Sequence, residues 1–185
     1  MNDASSAAET IAALCLEPHR EGGYFRETYR AAGLVDTPQG PRAVATAIAF
    51  LVTIEQPSRF HRLLSGELWV YRAGAPLELW LLGPDGEARR LLLGPGGGGS
   101  RPAEQPSVWV APHVWQGARV VAPAPVDTKA AATPPTAAAA GGAPRDWSLV
   151  SCIVTPGFEY ADFELGRRDV LQAGWPQAGA AIDAL

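Results

Sequence analysis

Residues 60–74 read FHRLLSGELWVYRAG, which is two short runs of alternating polarity joined by a serine-glycine turn. Side chains alternate between the two faces of a strand, so His61 takes one face of the first run. Glu67, Trp69 and Tyr71 share one face of the second run. A histidine and a glutamate between aromatic rings have the usual composition of a small-molecule site. The segment therefore predicts a β-hairpin that carries one wall of a pocket.

Short strand patterns continue on both sides of this hairpin, separated by turns rich in glycine and proline. Such a series is typical of an antiparallel sandwich or barrel. The chain has 185 residues, which is enough for one domain with a sizeable core. We therefore expect a single all-β domain over residues 1–185. The strand patterns cover residues 23–30, 43–54, 59–64, 67–72, 77–82, 88–93, 107–110, 117–121 and 147–155.

Two helices and one insertion interrupt the strands. A short helix is predicted at residues 6–15, where Ser6 and Glu9 have the spacing of a capping box. A second helix is predicted at residues 166–173. Residues 122–144 are almost entirely Ala, Pro, Thr and Gly, a composition that cannot bury enough apolar surface to become ordered. We expect them to form a disordered insertion in a hairpin loop.

Composition argues against several partners and locations. The net charge is −4 and no Lys/Arg cluster is present, so we expect neither nucleic acid nor an anionic membrane as partner. No apolar run has the length of a membrane span, and the chain does not start like a secretory signal. The two cysteines form neither a disulfide framework nor a metal or redox motif. We expect a soluble, cytoplasmic protein with reduced thiols.

One strand bears on assembly. Residues 45–54 read ATAIAFLVTI and have no polar face, whereas a half-exposed antiparallel strand alternates. Both faces of this strand must therefore be covered. Because a second subunit is the simplest cover for the outer face, we expect a homodimer.

The segment around His61 resembles the first motif of the cupin superfamily, G-x5-H-x-H-x3-E-x6-G. His61 takes the place of the first histidine, Glu67 that of the glutamate and Gly74 that of the last glycine. Leu63 stands in place of the second histidine. This resemblance implies a site in which His61 and Glu67 point into a barrel.

A fuller resemblance is to the Cupin_5 family, and it spans about residues 14–176 outside the insertion. PHREGGYF at residues 18–25 is similar to the opening of the family, with Arg20 where the family prefers proline. TAIAFL at residues 46–51, the segments 58–71 and 149–163, and the pair Trp115-Gln116 also match. The resemblance implies an RmlC-like jelly roll, that is, a double-stranded β-helix, with a short N-terminal helix and a C-terminal helix.

The resemblance also suggests residues for the pocket. It implies that the opening motif lies near the pocket mouth, although a purely structural strand start is equally compatible with the residues. Sugar-nucleotide epimerases of this fold use a histidine base and a tyrosine acid, side-chain types that His61 and Tyr71 supply. The candidate catalytic residues are His61, Glu67 and Tyr71, and the candidate ligand-binding residues are Glu21, Tyr24, Trp69, Trp115 and Gln116.

The cupin motif also raises the possibility that the chain binds a divalent metal. Metal-binding cupins typically supply two histidines and a glutamate from the first motif and a histidine from the second. Leu63 offers no lone pair, and losing one of four ligands weakens a site considerably. We therefore expect no tightly bound cofactor. If a metal binds, His61, Glu67 and His113 are the candidate ligands.

Three functions stay open at this point, because a fold does not establish a function. The first is binding of a small sugar-like or other metabolite, with isomerase or epimerase chemistry. The second is a metal-dependent oxygenase or lyase, and the third is a non-catalytic binding or storage protein. Bound metal separates the second function from the others, and turnover of a captured ligand separates the first from the third.

Overall fold

The computed structural model describes residues 5–96, 104–121 and 145–185. Strands dominate these segments, with one α-helix before them and two after them. Along the chain the elements are α1 (Ala7–Leu14), β1 (Glu17–Pro18), β2 (Tyr24–Arg30), β3 (Leu34–Thr37), β4 (Gly40–Ala43), β5 (Thr46–Thr53), β6 (Ser58–Leu63), β7 (Gly66–Gly74), β8 (Leu77–Leu82), β9 (Ala88–Leu93), β10 (Ser107–Val110), β11 (Trp115–Val120), β12 (Trp147–Thr155), β13 (Phe163–Leu165), α2 (Arg168–Gly174) and α3 (Gly179–Ala184).

Two sheets of antiparallel strands enclose the main core. The larger sheet has the order β1-β2-β5-β12-β7-β10, the smaller one the order β13-β6-β11-β8-β9, and β3 and β4 form a separate hairpin. Apolar side chains from both sheets meet between them, among them Phe50, Trp69, Leu79 and Val150. The expected all-β architecture is confirmed. Strands β8, β9, β10 and β12 begin and end at the predicted residues.

Helix α1 covers part of the outer face of the apolar strand β5. The capping box of Ser6 and Glu9 is present at its N-terminus. Its apolar side chains pack with Leu51 of β5 and Leu149 of β12 on the outer face of the larger sheet. The prediction that both faces of β5 are covered is therefore confirmed, but part of the outer cover is this chain's own helix. The strand alone no longer requires a second subunit.

The C-terminal helices cover the outer face of the smaller sheet. The helix predicted at residues 166–173 is present as α2, and α3 follows it. Leu171 and Ile182 from these helices pack with Phe60 and Trp115 from the strands. Within the three described segments, no helix is long and apolar enough to cross a membrane. The cytoplasmic location stays a prediction.

Some elements had no clear pattern in the sequence. The hairpin β3–β4 lies at the surface, with Leu34 and Val35 exposed, so its residues do not alternate with burial. Strand β13 has three residues, too few for a periodicity. The predicted insertion, residues 122–144, lies outside the described residues.

Candidate functional site

A group of polar side chains is buried inside the barrel at the end where the opening motif crosses it. The turn between β1 and β2 carries Glu21, β6 carries Ser58 and His61, β7 carries Glu67, and β11 carries Gln116. All five side chains are buried. Buried polar groups are costly unless they are hydrogen-bonded. We call this set, together with His19, the polar cluster.

Two glycines bring Glu21 into the interior. Gly22 has a φ of +112°, and a Cβ atom there would lie 2.1 Å from the carbonyl oxygen of Pro57. Gly23 has a φ of +65° and is similarly close to the backbone of β5 at Leu51. Such backbone conformations favour glycine. The turn they form is tight enough for the side chain of Glu21 to reach His61 on the facing sheet.

Glu21 is the centre of one half of the polar cluster. Its Oε1 accepts a hydrogen bond of 2.7 Å from the hydroxyl of Ser58. Its Oε2 lies 3.2 Å from Nδ1 of His19 and 3.4 Å from Nε2 of His61. Nδ1 of His61 lies 2.9 Å from the carbonyl oxygen of Arg59, which can only accept, so this nitrogen carries a proton. The other ring nitrogen of His61, Nε2, faces Glu21.

Glu67 is the centre of the other half. Its Oε2 accepts a hydrogen bond from the amide NH2 of Gln116, and the thiol of Cys152 also hydrogen-bonds to its carboxyl group. The Oε1 of Gln116 in turn accepts a hydrogen bond of 2.9 Å from the indole N–H of Trp69. Gln116 lies opposite His61 in the register of β11 and β6, while Glu67 and Trp69 belong to the other sheet. The amide therefore bridges the two sheets.

The two buried carboxyl groups differ in their affinity for a proton. Burial disfavours the charge of Glu21, but attraction to His61 and a hydrogen bond with His19 outweigh this, and the pKa of Glu21 lies below its ordinary value. Burial raises the pKa of Glu67, and the negative charge of Glu21 adds to the rise. Burial, with the charges of the two glutamates, also raises the pKa of Cys152 well above its ordinary value. Their surroundings thus displace the pKa values of the two carboxyl groups in opposite directions.

Aromatic rings close the cluster on the side of His19 and His61. The ring of Phe163 stacks on His61 at 5.4 Å, and that of Tyr160 stacks on His19 at 5.9 Å. Together with Phe158, these two residues form what we call the aromatic cap. Three interactions connect the cap to its surroundings. Arg42 donates two hydrogen bonds to Asp162, at 2.6 and 2.9 Å. The N–H of Phe158 donates to the hydroxyl of Thr46, and the guanidinium of Arg20 lies above the ring of Tyr160.

The structure brings five of the candidate site residues into this region. They are Glu21, His61, Glu67, Trp69 and Gln116. His61 was predicted to pair with Glu67. In the structure the carboxyl group nearest to its Nε2 is that of Glu21. Trp69 and Gln116 are engaged with each other and with Glu67.

Three further candidates lie elsewhere. Tyr71 is four residues from Glu67 along β7, about 13 Å, and its hydroxyl donates to the carbonyl oxygen of Gly74. Tyr24 packs against the apolar side chains beneath α1, on the outer face of the larger sheet. Trp115 packs under the C-terminal helices, with Arg62 above its ring. The prediction that Tyr71 lines the same cavity as Glu67 and His61 does not agree with this arrangement.

Sequence reasoning missed His19, Ser58 and Cys152 as members or neighbours of the cluster. His19 lies in the opening motif at residues 18–25, but the motif alone does not give it a partner. The aromatic cap was also missed, because the match of residues 149–163 to the family pattern does not show what its rings contact. In the structure Asp162 pairs with Arg42, while the rings of Tyr160 and Phe163 face the histidines.

The residues do not fit a cupin metal centre. Leu63 stands where a second histidine is needed, and His113 is exposed in the turn before β11. Throughout the described part of the chain, no group of three or more His, Cys, Asp or Glu side chains is arranged to hold a metal ion. The candidate set of His61, Glu67 and His113 is therefore not assembled, and we derive no chemical step through a metal.

The fold and the cluster together define the class of protein. Residues 8–166 match the family model Cupin_5, described as Cupin superfamily (DUF985). This chain belongs to the Cupin_5 family, and its two-sheet barrel is the cupin jelly roll that the resemblance implied. No curated protein matches the chain.

Solved structures agree with this assignment. A hypothetical protein from Leishmania major is 35% identical with a TM-score of 0.78, and the match covers 98% of each chain. A protein from Shewanella oneidensis is 30% identical with a TM-score of 0.75, over 98% of this chain and 97% of its own. Oxalate decarboxylase from Bacillus subtilis is 9% identical with a TM-score of 0.51, over 90% of this chain and 35% of its own. The last similarity concerns the fold alone.

Proposed function

We propose that this cupin binds a small polar metabolite against the polar cluster and transfers a proton on it, in the manner of an isomerase or epimerase. The observation that carries the proposal is a pair of carboxyl groups, Glu21 and Glu67, buried inside the barrel on either side of His61. Their surroundings lower the pKa of Glu21 and raise that of Glu67. Two titratable groups whose environments separate their pKa values are typical of an acid and a base that act on one substrate.

The roles follow from the hydrogen bonds. Glu21 keeps its charge and faces Nε2 of His61 at 3.4 Å, so we assign its carboxylate as the base, with the charge of His61 beside it and the hydroxyl of Ser58 fixing its position. Glu67, whose pKa is raised by burial, is assigned as the acid that returns a proton. Tyr71 has no part in this scheme, because its hydroxyl is bound at the far end of β7.

The surroundings of the cluster suit a small ligand. The rings of the aromatic cap offer flat apolar surfaces next to polar groups, the usual composition of a metabolite pocket. An open cleft of ≈ 380 Å³ is lined by His19, Arg20 and Arg59, among other residues, and offers a route to the cluster.

Exchange of carbon-bound hydrogen with solvent tests the proposal. The protein is incubated in D2O with a panel of aldoses, ketoses, nucleotide sugars and keto acids, and mass spectrometry measures deuterium incorporation. An isomerase or epimerase of this kind is expected to incorporate one deuterium next to a carbonyl group of its substrate. Native mass spectrometry of protein from its own source shows in parallel whether a small molecule is retained. A retained molecule that the protein does not turn over, with no exchange in the panel, contradicts proton transfer and favours the non-catalytic binding protein.

We also propose that the protein is a homodimer, on a surface that α1 leaves open. On the outer face of the larger sheet the register aligns Tyr29, Ala47, Ile153, Leu68 and Trp109 in one row across five strands. Tyr29 and Trp109 at the two ends of the row are 58% and 52% exposed. An apolar row of this kind is typical of a contact between protein surfaces, and a second copy supplies an identical flat row.

Light scattering coupled to size exclusion measures the oligomer. We expect a mass of about twice 19.4 kDa at micromolar concentration, and we expect Trp109→Glu to shift the protein to the monomer because it places a charge in the apolar row. Val170→Glu, which changes an exposed apolar residue on α2, is the matched control and should leave the mass unchanged. A wild-type monomer under these conditions contradicts the proposal.

A further inference from the structure

The orientation of one side-chain amide follows from the chemistry of its two neighbours. The indole N–H of Trp69 is a donor and has no acceptor atom, so the atom of Gln116 that faces it must be the amide oxygen, as the bond of 2.9 Å shows. The NH2 group of Gln116 then points the other way, toward Oε2 of Glu67. The reversed amide would place two donors against each other at Trp69. Both Trp69 and Gln116 are fully buried, so water cannot relieve such a conflict.

This orientation limits where Glu67 can carry a proton. Oε2 already accepts a hydrogen bond from the NH2 group of Gln116, and a proton on the same oxygen would make it a weaker acceptor, whereas a proton on Oε1 leaves this bond intact. The carboxyl group can therefore be protonated at Oε1 while Oε2 continues to accept. We propose that Trp69 and Gln116 are positioning residues that keep Oε2 of Glu67 as an acceptor and so confine its acidic proton to Oε1.

The inference assigns these two residues a role different from ligand contact. Gln116 lies on β11 of the smaller sheet, whereas Glu67 and Trp69 lie on β7 of the larger sheet. The chain of bonds therefore holds one face of Glu67 from across the barrel. Cys152, which pairs with Trp69 in the register of β12 and β7, is a further hydrogen-bonding neighbour of the carboxyl group. The inference rests on the proposed role of Glu67 as the acid and specifies which of its oxygen atoms delivers the proton.

Trp69→Phe tests the inference because it removes the N–H group and keeps an aromatic ring. Without the indole donor the amide of Gln116 can rotate and accept a hydrogen bond from protonated Glu67, which stabilises the protonated form. The titration midpoint of Glu67, measured by 13C NMR of its carboxyl carbon, is therefore expected to shift upward. Glu67→Gln identifies the signal by its loss. Gln116→Leu, which removes the donor to Oε2, is expected to shift the midpoint in the same direction.

Trp80→Phe is the matched control. Trp80 also donates its indole N–H to a glutamate, Glu78, at 2.8 Å. It lies outside the polar cluster and packs against the apolar side chains beneath the C-terminal helices. The midpoint of Glu67 should be unchanged in this variant. A folded Trp69→Phe protein with the wild-type midpoint overturns the inference, as does the lack of a protonated Glu67 signal at every pH at which the wild type is folded.

A measurement on the wild type covers the case in which Trp69→Phe does not fold. The amide protons of Gln116 are followed by 15N NMR as the pH rises through the Glu67 midpoint. We expect the proton that faces Oε2 to move downfield as the carboxylate forms, while the indole N–H of Trp69 stays bonded. Amide protons that do not respond to this titration overturn the inference. Since no substrate is present in either measurement, the inference can fail while the deuterium-exchange test succeeds, and the reverse also holds.

Discussion

Glu67→Gln is expected to keep the fold and to reduce proton transfer by about 10²–10⁴-fold, the usual contribution of a general acid. A glutamine has nearly the same shape as a protonated glutamate. Its amide oxygen can accept from Gln116 as Oε2 does, and its NH2 group takes the place of the protonated oxygen. It cannot release a proton to a substrate. Because the pKa of Glu67 is raised by burial, the neutral replacement also removes the cost of a buried charge, and stability at neutral pH should not fall.

The deuterium-exchange rate and the urea unfolding curve of this variant measure the two effects separately. Glu164→Gln is the matched control, since Glu164 is an exposed glutamate that pairs with Arg62 at the surface, and both quantities should stay at their wild-type values. A Glu67→Gln protein that retains the exchange rate contradicts the role of Glu67 as the acid. A loss of stability of about 1–3 kcal/mol, the range for a broken buried hydrogen bond, with unchanged exchange would point to a structural pair.

Glu21→Ala is expected to lower the free energy of unfolding by about 3 kcal/mol at neutral pH, since hydrogen bonds to charged groups contribute about 1.5–3 kcal/mol each. The variant leaves the hydroxyl of Ser58 and the imidazoles of His19 and His61 without their buried partner. It also leaves a space inside the barrel, which adds to the cost. Glu17→Ala, which changes an exposed glutamate on β1, is the control and should have little effect.

The difference between the wild type and Glu21→Ala should depend on pH. Because the pKa of Glu21 in the folded protein is lower than the ordinary value of 4.5, its stabilising contribution is fully present above this pH. The contribution decreases as the pH falls through the folded-state pKa, where Glu21 becomes protonated. Urea unfolding between acidic and neutral pH should therefore show the two stabilities converging toward low pH. A difference that grows on acidification would contradict the charged state assigned to Glu21.

Much of the site could be predicted from local patterns. Alternation along β6 and β7 placed His61 and Glu67 inside the barrel, and the opening motif identified Glu21. Alternation identifies only the face of a strand on which a side chain lies. It therefore grouped Tyr71 with Glu67, although four strand residues separate them by about 13 Å. The opening motif contains two neighbouring aromatic residues, Tyr24 and Phe25, and the sequence pattern does not show which of them contacts the site. In the structure Phe25 contacts His19, whereas Tyr24 lies on the outer face of the larger sheet.

The remaining features depend on contacts between residues far apart in the chain. The aromatic cap meets His19 across about 140 positions of sequence, and no local period reports such a contact. The two apolar faces of β5 correctly predicted cover on both sides, but the identity of the cover depended on where α1 docks. The amide of Gln116 could be recognised as polar and near the pocket, while its two bonding partners became apparent only when both sheets were in place.

The position of β12 has a consequence for the order of folding. This strand lies between β5 and β7, in the middle of the larger sheet, yet it is the last long strand of the chain. During synthesis the ribosome must release residues up to 155 before β5 and β7 can be joined, and α1 can complete its contacts with Leu149 only then. Contacts across so many residues close large loops and slow the search for the native state. The nascent chain therefore exposes the apolar faces of its early strands for most of its synthesis. Exposed apolar surface favours aggregation, which chaperones prevent during this period.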